Sequence, residues 1–184
     1  IESPTHDVAG VNAMLDHIST GAPSALARER IAGRDGLGDV LIFRAGPNNG
    51  AKPLMVLSHV DTVHPLGTLA KDLPLRRDGD RLYGPGIYDM KGGAYLAFAA
   101  FQAVALAGSA QRPLVFIFTP DEEIGSPTTR ALIEAEGRKA EAVLVTEPAR
   151  DGGKIVTARK GVGRFDVVVE GRPAHSGTSH AKGR

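Results

Sequence analysis

Three carboxylates stand in a row at Asp121, Glu122 and Glu123, in TPDEEIGS, directly after the apolar run RPLVFIF. Adjacent like charges raise one another's pKa and repel, so a cation is expected among them. Acidic or histidine-bearing clusters also follow other apolar runs or Gly-rich turns: His59 and Asp61 in LSHVD, Asp89 in GPGIYDMKGG, and Glu147 in VLVTEP. Alternate residues of a strand share a face, so His59 and Asp61 point the same way. The natural use of such a pair is an imidazole as metal ligand with a carboxylate fixing its tautomer. Glu122 and Glu123, being adjacent, diverge; one is placed to hold a metal and the other to face the water that the metal activates. Any one of these clusters is common on protein surfaces, and it is their recurrence that points to a metal. Imidazole with carboxylates suits Zn(II), and also Mn(II) or Co(II).

The elements that must position these groups alternate in kind. PLMVLSHVD reads as a central strand buried on both faces, and the run at 113–118 and AVLVTE read as further buried strands. Between them MKGGAYLAFAAFQAVALAG predicts a helix over 90–108, and Ser126-Pro127 predicts the start of another that runs to about Gly137. Earlier in the chain, Ser3-Pro4 predicts a helix start with Val8, Val11, Leu15 and Ile18 on one face, and ALARERIAG with DVLIFRAG predicts a hairpin. A second hairpin is expected at Asp78-Gly79. Strand and helix alternating between 53 and 147 argues for an α/β layer with largely parallel strands, whose ligand groups gather at the strands' carboxyl ends. KIVTARKGVGRFDVVVEG changes to an alternating pattern, which predicts half-exposed strands and a domain boundary near 155–163.

Composition excludes several classes. The 184 residues are 42% hydrophobic and 23% charged with a net charge of +1, no field strong enough to suggest nucleic acid or an anionic membrane surface. No apolar stretch is long enough to span a bilayer. With no cysteine, disulfides and thiolate metal sites are ruled out, and the compartment is left open between cytoplasm and export. GPG…KGG lacks the Lys-Ser/Thr ending of a nucleotide-binding P-loop.

SHVDTV, GPGIYDMKGG, TPDEEIGS, VTEPA and GRPAHSG together resemble, in order, the signatures of the di-zinc aminoacylase and glutamate carboxypeptidase family. That family includes carboxypeptidase G-like enzymes, succinyl-diaminopimelate desuccinylase and acetylornithine deacetylase. The resemblance implies a three-layer α/β zinc-peptidase-like catalytic domain with a mostly parallel central sheet over 1–158, and the start of a smaller α+β lid or dimerisation domain over 159–184. It implies two Zn(II), with His59 and Glu147 on one, Glu123 on the other and Asp89 bridging. Asp61 would orient His59, Glu122 would be the general base, and His175 would help stabilise the oxyanion, often at a partner subunit's site. It also implies a cis peptide between Asp89 and Met90. The second zinc would be completed by a histidine near the end of a longer chain; none is present here. The expectation is therefore a truncated fragment, inactive alone, of a protein that is a homodimer when full length. The activity expected is hydrolysis of an amide bond next to a free carboxylate in a small peptide. An N-acyl amino-acid deacylase and a metal-free, non-catalytic binding module are the alternatives.

Overall fold

The computed structural model describes residues 1–161, 163, 165–168, 170–175 and 177–183. The chain divides into two compact units, Ile1–Pro148 and Ala149–Arg184.

The first unit is built on a five-stranded sheet with the order β1-β2-β6-β3-β7. A helix, α1 (Val8–Gly21), precedes the hairpin of β1 (Ala27–Ile31) and β2 (Val40–Ala45). β3 (Leu54–His59) enters the middle of the sheet, followed by a short helix α2 (Thr68–Lys71) and a separate small hairpin of β4 (Arg76–Asp78) and β5 (Arg81–Tyr83). Helix α3 (Gly92–Leu106), β6 (Leu114–Thr119), helix α4 (Arg130–Lys139) and β7 (Ala142–Val145) complete it. β3 runs parallel to both of its neighbours, β6 and β7, whereas β1-β2 and β2-β6 are antiparallel. The register sets His59 opposite Thr119, so His59 and the acidic segment after β6 leave the same edge of the sheet.

Two apolar layers explain why β6 is continuous hydrophobe. Phe116 and Phe118 face α1 and α3 and pack with Val11, Leu15, Phe43, Phe98 and Phe101. Val115 and Ile117 face the other way, with Val40, Ile42 and Met55, under Leu132 and Ile133 of α4. The rings interlock: Phe98 lies 4.7 Å from Phe43 and 5.2 Å from each of Phe116 and Phe118, centroid to centroid. Edge-to-face aromatic pairs of this kind add to what area burial contributes, by roughly 0.5–1.5 kcal/mol each. The result is a helix–sheet–helix sandwich that leaves the strands' carboxyl ends as the open rim.

Three local expectations change. The first helix starts at Val8 rather than at Ser3-Pro4, because residues 3–5 pair with the segment after β3, where Pro4 bridges Thr62. Helix α4 starts at Arg130 rather than at Ser126-Pro127, because Asp121 engages the backbone N–H groups of Thr128 and Thr129 and Ser126 has a left-handed φ of 56°. β7 is not a buried strand: it is last in the sheet order, with β3 as its neighbour, and Leu144 and Val145 are 50% and 54% exposed.

In the second unit Arg150 bridges Lys154, and one helical turn forms at His180–Lys182. The half-exposed strands expected after 154 are absent among the described residues, and Ile155, Phe165, Val167 and Val168 are exposed. An alternating pattern favours a strand only where a neighbour supplies backbone partners and an apolar face. Residues 162, 164 and 169 of that expectation lie outside the described residues. No helix among the described residues is long and apolar enough to cross a membrane.

Candidate metal centre

His59 closes β3 with its side chain 1% exposed. Its ring nitrogens face different chemistry. Nδ1 lies 2.9 Å from the carbonyl oxygen of Asp61 and 3.3 Å from that residue's Oδ1, and both are acceptors. Nδ1 therefore carries a proton, and Nε2 is the nitrogen free to act as ligand. Nε2 faces Asp89 at 3.2 Å, Glu147 at 3.4 Å and Glu122 at 3.8 Å. The backbone N–H of His59 donates to the buried sulfur of Met90 at 3.1 Å, which ties β3 to the segment bearing Asp89.

Each carboxylate arrives by a distinct local device. Asp89 sits in an irregular turn, Ile87–Lys91, with the Asp89–Met90 peptide in the cis form. The turn is entered through Gly86, whose φ of 69° and whose approach to Thr62 exclude a side chain: a Cβ there would lie 2.4 Å from the Thr62 methyl. Glu147 follows β7, and the helix α3 comes so near that a Cβ on Gly93 would lie 2.1 Å from the carbonyl oxygen of Thr146. Ser58 and Thr146 share a 2.6 Å hydrogen bond between hydroxyls, which joins the ends of β3 and β7 beside His59 and Glu147. Glu122 and Glu123 lie on a single turn after β6, Glu122–Ile124. Their backbone N–H groups donate to the two oxygens of Asp61, each at 3.2 Å.

The row of three acids separates in this way. Asp121 is fully buried and points away from Glu122 and Glu123. Its carboxylate accepts from the backbone N–H and hydroxyl of Thr128, both at 2.8 Å, and from those of Thr129, at 3.2 and 2.5 Å. Four donors make a cation unnecessary at Asp121. Glu122 and Glu123 have no such set, and they turn toward His59 and Asp89.

Donor atoms gather in two threes: those of His59, Asp89 and Glu123 lie within 4.8 Å of one another, as do those of His59, Glu122 and Glu147. Ligand atoms about 2.0–2.2 Å from a tetrahedral zinc stand ~3.4 Å apart, and the 3.2 and 3.4 Å separations from Nε2 match that spacing. The electrostatics show the same demand. Burial alone lowers the His59 ring's pKa, but the hydrogen bond to Asp61 and the charges of Asp61, Glu122 and Glu147 outweigh it and push the ring up to about 9. Burial pushes the Glu147 carboxyl up to about 7, His59 opposing and Asp89 and Glu122 adding to the rise. Burial and then Asp89 raise Glu123 in the same way. Asp61 moves oppositely: burial works against it, yet its bonds to His59 and Thr5 hold it below the ordinary carboxylate range. The rim thus carries more negative charge than its one imidazole can neutralise, and a hard or borderline dication fits this donor set.

His59, Asp61, Asp89, Glu122, Glu123 and Glu147 are brought together in the first unit. His175 belongs to the second unit, where its exposed Nδ1 accepts from the backbone N–H groups of Gly177 and Thr178 at 3.1 and 3.2 Å. Sequence reasoning missed Thr5, Ser58, Met90 and Thr146, which contact the site's residues without an ionisable group to announce them. It also left Asp121 without a role, although two threonines seven and eight residues on were a legible pair of donors.

Residues 55–181 match the family model described as peptidase family M20/M25/M40. The chain is 32% identical over 184 residues to carboxypeptidase G2 of Pseudomonas sp. (strain RS-16), covering 97% of this chain and 44% of that protein. It is 31% identical over 138 residues to acetylornithine deacetylase of Myxococcus xanthus, covering 75% of this chain and 35% of that protein. The chain therefore spans less than half the length of these relatives. The crystal structure of an M20 family metallo-carboxypeptidase from Sulfolobus solfataricus superposes with a TM-score of 0.61 at 18% identity, over 80% of this chain and 35% of that one, a likeness of fold. With the match running through β3, the Asp89 turn, the acidic turn after β6 and the end of β7, the chain belongs to the peptidase family M20/M25/M40.

Proposed function

We propose that this site serves a metal-dependent hydrolase that cleaves an amide bond next to a free carboxylate, in the manner of a glutamate carboxypeptidase. The observation that carries the reading is the convergence of Asp89, Glu122 and Glu147 on Nε2 of a buried His59 whose other nitrogen is committed to Asp61. Bound there, two divalent ions, Zn(II) first, supply an activated water and a polarised carbonyl. His59, Glu147, Asp89 and Glu123 are the residues that would hold the ions. Asp61 keeps the His59 ring in the tautomer that presents Nε2. Glu122, half exposed and on the open side of the cluster, takes a proton from the attacking water and returns it to the leaving nitrogen.

A concavity of about 310 Å³ beside Asp89 and Glu123, walled by Val63, His64, Leu82, Tyr83 and Tyr88, supports this reading as the seat for the group that flanks the scissile bond. Its size is at the lower end for small-molecule sites. We further assign the segment from 159 onward, with His175, to the beginning of a lid or dimerisation domain of a homodimer. A deacylase acting on N-acyl amino acids is the second reading, favoured by the similarity to an acetylornithine deacetylase.

Glu122→Gln, made in the protein as its gene encodes it, separates an enzyme from a binding module. The hydrolase reading expects turnover of N-acyl glutamates and N-acyl ornithines to fall by about 100-fold or more with zinc still bound, the scale of a lost general base. Unchanged turnover overturns the role of Glu122, and absence of hydrolysis in the zinc-loaded wild type overturns the enzyme reading.

A further inference from the structure

The first five residues are outside every motif, yet they touch two of the segments that build His59's cluster, residues 60–62 and the turn that bears Asp89. Ser3 is fully buried; its hydroxyl donates to the carbonyl of Val60 at 2.6 Å, and its own carbonyl accepts from the N–H of Thr62 at 2.9 Å. Thr5 is 5% exposed, and its N–H donates back to the Thr62 carbonyl at 3.3 Å. The residues immediately after His59 are thereby held as if a further short strand lay beside them. At the other end, Lys91 Nζ donates to the Ile1 carbonyl at 2.9 Å, two residues beyond Asp89. Glu2 accepts from the N–H groups of Gly67 and Leu69 and so anchors the strap.

The decisive contact is that of the Thr5 hydroxyl, which donates to Asp61 Oδ2 at 2.8 Å. Asp61 is fully buried and its two oxygens do separate work. Oδ1 faces His59 Nδ1 at 3.3 Å and accepts from the Glu122 N–H at 3.2 Å. Oδ2 accepts from the Glu123 N–H at 3.2 Å and from Thr5. The Thr5 bond is the shortest of the four, and without it Oδ2 keeps the longer bond to Glu123 as its remaining partner in this set. A carboxylate that has lost its shortest bond fixes the imidazole that it orients less firmly.

We propose that Thr5 is a positioning residue for the metal centre: its hydroxyl locks Asp61, and through Asp61 both the His59 ring and the Glu122–Glu123 turn. This rests on the metal-hydrolase reading above. The test uses the protein as its gene encodes it, with Thr5→Val removing the hydroxyl at nearly constant shape, Thr5→Ala removing hydroxyl and methyl, and Thr5→Ser restoring the hydroxyl. Zinc affinity is read by competition with a chromophoric chelator, and ligand geometry by the visible spectrum of the Co(II)-loaded protein. Valine and alanine should each weaken zinc binding by up to about tenfold, since Thr5 acts one bond further out than the partner of a metal ligand, whose loss costs about tenfold or more, and both should move the Co(II) bands. Serine should restore the wild-type spectrum and an affinity within about twofold of wild type. A residue that merely stabilises the fold would lower the melting temperature in chelator and leave the Co(II) spectrum in place. Wild-type affinity and spectrum in both Thr5→Val and Thr5→Ala overturn the proposal while the metal centre stands. A wild type that binds neither zinc nor Co(II) overturns the metal centre and this proposal with it.

Discussion

Loading a dication into this cluster should expel a proton from His59, and the structure sets its size. In the metal-free protein the ring's pKa is raised from 6.5 to about 9, because the hydrogen bond to Asp61 and the charges of Asp61, Glu122 and Glu147 outweigh the opposing effect of burial. At pH 7 the ring is therefore protonated on both nitrogens, and Nε2 must lose its proton before it can act as a ligand. Two pH units below that pKa, deprotonation costs about 2.7 kcal/mol, at 1.36 kcal/mol per unit. Apparent zinc affinity should accordingly rise by about tenfold per pH unit from 7 toward 9, with a smaller contribution from Glu147, whose carboxyl titrates near 7. Calorimetric titration with zinc at pH 7, in two buffers of different ionisation enthalpy, counts the protons directly. About one to one and a half released per site is expected from His59 and Glu147 together. Release of none, or an affinity flat between pH 7 and 9, would refute the electrostatic picture of the cluster.

The metal-free protein should lose stability as pH rises. His59 and Glu147 both have folded-state pKa values above their ordinary ones, so their stabilising contributions are complete at low pH. That of Glu147 is lost between about 4.5 and 7, and that of His59 between 6.5 and about 9. Melting in chelator should move to lower temperature from pH 5 to pH 9, and added zinc should raise the melting temperature more at pH 8 than at pH 6. Asp121→Ala should destabilise the zinc-free protein by about 3 kcal/mol in urea titration, because it strands the donors of Thr128 and the buried Thr129; a loss under about 1 kcal/mol would contradict that role. Gly93→Ala should cost about 1–3 kcal/mol, since the new methyl group would collide with the Thr146 carbonyl, and should weaken zinc binding by displacing Glu147.

The sheet's core and rim were legible because they rest on local pattern. Residues 115–118 are buried, their side chains divided between the two apolar layers, and the hairpin expected at Asp78-Gly79 forms with its loop displaced by one residue, to Gly79-Asp80. β7 has the same apolar run and a different fate, because burial depends on what lies beside a strand, which its own residues do not encode. The convergence of His59, Asp89, Glu122, Glu123 and Glu147 was readable from ionisable groups placed after successive strands or Gly-rich turns. Thr5 and Ser3 were not, since Ser3-Pro4 carries an ordinary helix-start signal. Their pairing with residues 60–62 is a contact across more than fifty positions, and short-range chemistry is silent on such contacts. Asp121 is a different case: its partners Thr128 and Thr129 are near in sequence, and the loop into α4 brings them round to it.

Diffraction at the zinc absorption edge, from crystals of the protein grown with zinc, tests the central claim most directly. The expected result is anomalous density about 2.0–2.2 Å from His59 Nε2, with carboxylate oxygens of Asp89 and Glu147 in the same shell and Glu123 at a neighbouring peak. Zinc density remote from His59, or a cluster that remains metal-free at saturating zinc, would contradict it.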